Sequence, residues 1–189
     1  MSKVSVVGGD VTSMVPSELV KLPELAGVNT IFHCAADVNL GKDPTGKTFR
    51  INYEGTVNML ELAKLLKVDT FHYVSTAYVA GKLCGRAMEA VPEDLGVNNP
   101  YEESKYKAEL LVRNSGIPYT IYRPAIITGR RKDGRIRRPL AFYRILEFLA
   151  KMKKHHCGKT KQNPVDEIYM PINFNVTPSE HVYFVPIDY

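Results

Sequence analysis

The stretch Asn99-Pro100-Tyr101-Glu102-Glu103-Ser104-Lys105 admits few local structures. Asn99 can cap a helix, Pro100 suits a first helical turn, and Glu102 and Glu103 place negative charge where the helix dipole favours it. The spacing predicts a helix from about Pro100 to Arg113, with Ala108, Leu111 and Val112 facing inward and Ser115-Gly116 ending it. Inside it, Tyr101 and Lys105 lie four residues apart and share a face. An ammonium beside a phenol favours the phenolate, drawing a group with an ordinary pKa of about 10 toward neutrality and readying it for proton exchange. The same spacing also describes a solvated helix face, so the surrounding chain decides between the two.

That chain alternates strand and helix signals. Val4-Ser5-Val6-Val7 is a β-branched run that meets a turn at Gly8-Gly9-Asp10 and predicts a strand. A weak helical pattern from Ser17 to Ala26 is interrupted by Pro23. Thr30–Ala36 is apolar enough for a buried parallel strand, and Asp37–Lys47, with Gly41, Pro44 and Gly46, reads as a loop. Asn52 precedes a helix with apolar positions at Val57, Leu60, Leu62, Ala63, Leu65 and Leu66. Phe71–Thr76 is the next strand, and residues 82–98 form a loop placed to border a pocket. Tyr119–Arg123 is a further strand, Pro139–Lys153 an amphipathic helix, and Val182–Val185 a last short strand.

At 189 residues the chain is long enough for one domain with a real core. No apolar run approaches the roughly 20 residues that span a bilayer, and Met1-Ser2-Lys3-Val4 lacks a signal pattern, so a cytoplasmic location is expected. Cys34, Cys84 and Cys157 are widely spaced and odd in number, which reads as reduced thiols. His155-His156-Cys157 has no second ligand cluster at a sensible spacing, so no metal is expected. The net charge of +5 is concentrated in Arg130–Arg138, which holds six basic residues. That segment is either a solvated loop or a surface for a phosphate-bearing or acidic partner. No aromatic residues interleave it, so nucleic acid is not expected.

Tyr101-x-x-x-Lys105 is preceded by Tyr73-Val74-Ser75-Thr76-Ala77-Tyr78-Val79-Ala80-Gly81 and followed by Tyr122-Arg123-Pro124-Ala125-Ile126-Ile127-Thr128-Gly129. With His33-Cys34-Ala35-Ala36 and Asn52-Tyr53-Glu54-Gly55-Thr56, these motifs stand in the order that resembles the extended short-chain dehydrogenase/reductase superfamily. The Val74–Val79 wording and the final Pro186-Ile187-Asp188-Tyr189 are similar to the thioester reductases, the type found in carboxylic acid reductases, peptide synthetases and fatty acyl-CoA reductases. The resemblance implies an α/β fold, a Rossmann-like doubly wound parallel sheet. It implies a single partial NAD(P)-binding domain over residues 1–189, with 130–189 as the start of a substrate-binding portion.

The resemblance also implies roles. Thr76, rather than the adjacent Ser75, would hydrogen-bond a substrate carbonyl, Tyr101 would donate the proton, and Lys105 would lower the tyrosine pKa and bind ribose hydroxyls. Asp10, with Val11 beside it, matches an aspartate that accepts from the adenine amino group, and Asn52 supports the cofactor and the lysine. Pro124, Ala125, Ile126 and Ile127 follow the surface where the family binds the nicotinamide amide. Ala35 and Ala36 are small residues at a strand's carboxyl end, where doubly wound sheets bind ligands, and would line the cofactor. His33 reads as a packed histidine rather than a catalytic one. The implied cofactor is NADP or NAD. The implied substrate is an acyl thioester, on coenzyme A or a carrier protein, and the basic loop would suit its phosphates or an acidic carrier surface.

A dinucleotide-binding fold opens with a strand, a glycine-rich turn and a helix holding the pyrophosphate. This chain has no G-x-x-G-x-x-G segment, and the resemblance starts at the family's third strand, so the sheet is expected to lack its first two strands. In the order 3-2-1-4-5-6 their loss leaves a gap with unpaired backbone groups. An N-terminal half elsewhere in a longer protein, Val4–Val7 sliding to the centre, or a second copy in a homo-oligomer would each fill it. Two rival functions share these residues: a nucleotide-sugar epimerase or dehydratase, and a non-catalytic binding module that keeps the dyad as a relic.

Overall fold

Three short strands rich in β-branched and aromatic residues pair in parallel: β1 (Thr30–His33), β2 (Thr70–Val74) and β3 (Tyr119–Tyr122), in the order β1-β2-β3. The register sets Ile31 against Phe71 and Tyr73 against Ile121. The computed structural model describes residues 4–90, 96–136, 142–160 and 184–186. It divides into two units, Met1–Ala125 and Ile126–Tyr189. The architecture of the first is the Rossmann-like parallel α/β type in partial form, with three sheet strands among its described residues.

Because side chains alternate across a strand, Ile31, His33, Phe71 and Tyr73 share one face of the sheet. Helix α3 (Gly55–Leu66) and helix α4 (Pro100–Arg113) supply Leu60, Ala63, Ala108 and Val112 to the same core. The opposite face carries Phe32, His72 and Tyr122. Phe32 stacks on His72 at 4.1 Å, and the Tyr122 hydroxyl meets His72 Nδ1 at 3.1 Å. Phe32 is 63% exposed, so β1 is not the fully buried strand that its apolar run predicts.

Other expectations shift at their edges. Residues 4–7 form no strand, and Val4, Val6 and Val7 are exposed. They therefore do not slide into the sheet centre. The weak pattern after Ser17 resolves into α1 (Pro16–Leu19) and a 3₁₀ turn at Pro23–Leu25, each opened by its proline. The helix expected after Asn52 begins earlier, at α2 (Lys47–Phe49). It runs through a π-helical segment, Arg50–Glu54, into α3, with Asn52 inside that wide turn. Val57 and Leu65 face out, both more than a third exposed. Helix α4 has the predicted bounds, and the Asn99 side chain accepts from Glu102 N at 3.0 Å.

The second unit contains β4 (Ile126–Thr128) and β5 (Phe184–Pro186), which pair in parallel, and α5 (Phe142–Thr160). The start of the helix predicted from Pro139, and Val182 and Tyr183 of the last strand, lie outside the described residues. Among the described residues no helix is long and apolar enough to cross a membrane.

Candidate active site

Strand β2 ends at Val74, and the chain runs on past its carboxyl end through Ser75 and the extended Thr76. Ser75 N donates to Tyr122 O at 2.7 Å and Ala77 N to Pro124 O at 3.0 Å, which continues the link to β3 beyond the strands themselves. Between them Thr76, 7% exposed, caps a 3₁₀ turn over Ala77–Ala80 by accepting from Tyr78 N at 3.3 Å. Tyr101, in the first turn of α4, is buried, and the Thr76 side chain lies near enough to its phenol to favour the phenolate. Thr76 and Tyr101 therefore meet at one point.

Lys105 sits one turn further along α4, 2% exposed. Its Nζ donates to Val74 O at 2.7 Å and lies 4.1 Å from the centre of the Tyr73 ring. Burial lowers its pKa to about 8, with Glu109 and Cys34 pulling the other way. Burial and the Lys105 charge lower His33 to about 4. Burial raises the Tyr101 phenol above its ordinary value, the nearby Thr76 side chain pulling partly back and Tyr78 adding to the rise. The expected lowering of the tyrosine by its lysine is reversed. The ammonium is turned to a carbonyl and an aromatic face, and the phenol is enclosed.

Asn52 joins this group through a buried network. Its Oδ1 accepts from Asp37 N at 2.8 Å, and its Nδ2 donates to Asp37 O at 3.0 Å and to Ser104 Oγ at 2.9 Å. Ser104 Oγ in turn donates to Tyr101 O at 2.7 Å. Asn52 thus ties the segment after Ala35 and Ala36, both exposed beyond the end of β1, to the turn of α4 that bears Tyr101. Pro124 is linked to the Thr76 turn through Ala77, with Ala125 next to it. Ile126 and Ile127 belong to β4 in the second unit.

Asp10 and Val11 are placed against α3 instead. The exposed Asp10 carboxylate accepts from Thr12 N at 2.8 Å and Thr12 Oγ1 at 2.7 Å, and these bonds, the backbone one first, lower its pKa. Val11 O accepts from Asn58 Nδ2 at 2.8 Å. A Cβ at Gly55 would lie 2.8 Å from Val11 Cγ2, so the glycine makes room for this turn.

Several residues around the site escaped the sequence reading. Tyr73 carries the ring beneath Lys105, and its period-two position on β2, beside Phe71, was the available signal. Glu109, fully buried one turn beyond Lys105, accepts from Arg123 Nε at 2.9 Å and Nη2 at 2.6 Å. Arg123 also donates to Met88 O and Ala90 O, at 3.3 and 3.1 Å, and so anchors the loop before α4. Ser104, three residues after Tyr101, shares its face by helical spacing. Among the described residues no group of three or more His, Cys, Asp or Glu side chains could hold a metal ion.

The NAD-binding family model described as male sterility protein matches residues 1–186. The chain is 28% identical over 178 residues to aldehyde reductase lnaA of Aspergillus flavus, covering 85% of this chain and 15% of that protein. Among solved structures it is similar to the terminal R domain from the myxalamid PKS-NRPS biosynthetic pathway, at 29% identity and a TM-score of 0.67, covering 78% of this chain and 39% of that one. It is also similar to UDP-glucuronic acid 4-epimerase from Bacillus cereus, solved with UDP-glucuronic acid and NAD. That match has 27% identity and a TM-score of 0.55, with 76% of this chain and 44% of that one covered. The chain thus spans less than half the length of each of these proteins.

Proposed function

The chain belongs to the male sterility protein family, an extended short-chain dehydrogenase/reductase family of NAD-binding domains. From that premise we propose that it reduces an acyl thioester, carried on coenzyme A or on a carrier protein, to an aldehyde or alcohol in the cytoplasm. The observation that carries this reading is the placing of the enclosed Tyr101 phenol near the buried Thr76 side chain, one helical turn from the buried Lys105. A phenol whose pKa is raised stays protonated at neutral pH, which suits a proton donor. Thr76 holds the carbonyl oxygen, Tyr101 gives that oxygen its proton, and the Lys105 charge offsets the phenolate left behind. The hemithioacetal so formed then loses its hydroxyl proton as the C–S bond breaks, releasing the coenzyme A or carrier thiol and leaving the aldehyde.

The residues fit the nicotinamide and ribose end of the cofactor. Lys105 has further N–H donors beyond the one on Val74 O, and the buried Ser75 Oγ has no hydrogen-bond partner. Lys105 would hold ribose hydroxyls, Ala35, Ala36, Pro124 and Ala125 would line the ring, and Asn52 would brace it. Asp10 and Val11 would receive the adenine. The diphosphate end has no glycine-rich turn within these 189 residues. When bound, the cofactor supplies the hydride. The similarity to an aldehyde reductase and to a terminal R domain supports the thioester reading. The similarity to a UDP-glucuronic acid 4-epimerase favours a second reading, in which a nucleotide sugar is oxidised and reduced in place.

Titration of the purified chain with NADPH and NADH, followed by turnover of acyl-coenzyme A, acyl-carrier thioester and UDP-sugars, tests this. Tyr101→Phe is expected to cut turnover by about 10²–10⁴-fold while leaving cofactor affinity nearly unchanged. Near-normal rates in that variant overturn the tyrosine's role. Turnover of UDP-sugars alone would replace the thioester reading, and absence of cofactor binding would leave a binding module.

A further inference from the structure

A buried carboxylate is costly unless charge and hydrogen bonds meet it, and Glu109 is fully buried in α4, one turn past Lys105. Its partner is Arg123, just past β3, whose Nε and Nη2 donate to the two carboxylate oxygens at 2.9 and 2.6 Å, fork on fork. The same guanidinium reaches on to the backbone ahead of α4. Nη1 donates to Met88 O at 3.3 Å and Nη2 to Ala90 O at 3.1 Å. Arg113, one turn beyond Glu109, donates a further N–H to Ala90 O at 3.3 Å and lies 3.8 Å from the carboxylate. A lysine would answer the Glu109 charge, but it has no planar fork to share between a carboxylate and two carbonyls.

Every residue from Lys82 to Ala90 is exposed, and neither helix nor strand runs through them. A segment that buries so little apolar surface has its place set by polar ties. It follows the turn over Ala77–Ala80 that Thr76 caps. Lys82 N donates to Gly96 O at 3.2 Å, and Asn98 N and Nδ2 donate to the buried Glu102 at 2.7 and 2.9 Å, beside Tyr101. The arginines therefore grip the chain between the two residues that meet the carbonyl oxygen. Arg123 also precedes Pro124, whose carbonyl accepts from Ala77 N at 3.0 Å. Its backbone stands behind the Thr76 turn while its side chain fixes the segment that follows that turn.

We propose that Arg123, braced by Glu109 and seconded by Arg113, is a positioning residue that holds segment 82–90 as the wall against which the thioester substrate binds, an inference that rests on the thioester reading above. The test pairs limited trypsin digestion, read by mass spectrometry at the bonds after Lys82 and Arg86, with initial rates on an acyl-pantetheine thioester. Arg123→Lys, alone and with Arg113→Lys, keeps the charge opposite Glu109, so the melting temperature stays close to that of the unaltered chain. Both bonds are cut about tenfold faster and KM for the thioester rises about tenfold, while kcat and cofactor affinity stay within about twofold. Cuts within 130–135 keep their rate. In the unaltered chain the thioester slows the two cuts after Lys82 and Arg86, a readout that needs neither variant nor turnover. Absence of that protection overturns the proposal. So do unchanged cutting in both variants and faster cutting with an unaltered KM. Faster cutting at exposed basic residues throughout, with a lower melting temperature, reduces the pair to a brace of the fold and overturns it as well. Protection by the thioester in a chain that reduces no thioester counts against the catalytic reading and leaves the positioning role standing.

Discussion

Lys105 lies in a place that costs an ammonium its hydration, and two opposed pH dependences follow. Burial holds its pKa at about 8, against an ordinary 10.5. Between those values the unfolded chain keeps a proton that the folded chain has released. Folding stability therefore rises with pH across the window, by up to about 1.4 kcal/mol per pH unit. Offsetting a phenolate and holding ribose both need the charged lysine, so turnover moves the other way and declines as pH passes about 8. Urea unfolding and initial rates measured over that range check both, and a rate still climbing well above it contradicts the lysine's role. His33, buried with its Nε2 3.1 Å from Thr56 Oγ1, is expected to titrate near 4 by NMR. Its ordinary pKa is 6.5, so stability is lost as pH falls from there toward about 4, where the folded imidazole finally accepts its proton. A titration near 6.5 would show the ring to be solvated.

The contact between the Val11 turn and α3 depends on one missing side chain. Gly55→Ala places a methyl group 2.8 Å from Val11 Cγ2, and either the turn or the helix has to yield. The expected cost is about 1–3 kcal/mol in thermal or urea unfolding, together with weaker cofactor binding because Asp10 moves with the turn. A variant of normal stability and affinity would show that the turn is free of the helix. This contact and the bounds of α4 differ in how far the sequence foretold them. Asn99, Pro100 and the two glutamates act within a single turn, so the start of α4 was written locally. The pairing of Tyr101 with Thr76 was an expectation drawn from the order of the motifs. The turn of Lys105 toward Val74 O and Tyr73 could not be drawn from it, since that turn depends on how α4 lies across β2. The exposure of Phe32 also escaped, because an apolar run reads the same on a sheet covered on one face or on two.

Among the described residues of the first unit, α3 and α4 pack on one face of the sheet and the other face carries an aromatic row. Phe32, His72 and Tyr122 form that row, and the first and last are well exposed. Exposed apolar surface of this kind binds hydrophobic dyes and promotes association. Phe32→Ser is expected to reduce dye fluorescence and slow aggregation, at about 1 kcal/mol or less from the lost stack with His72. Unaltered dye binding would place the sticky surface elsewhere. The parallel pairing also has a consequence in time. Thr30 pairs with Thr70 and Phe71 with Tyr119, so neither ladder joins residues fewer than forty positions apart. At about 5–20 residues per second of synthesis, β1 leaves the ribosome several seconds before its partner strand exists, and β2 waits as long again for β3. During that interval the edge of each strand that faces its later partner stands unpaired by that partner, and the ladder closes only once the following helix and strand have emerged.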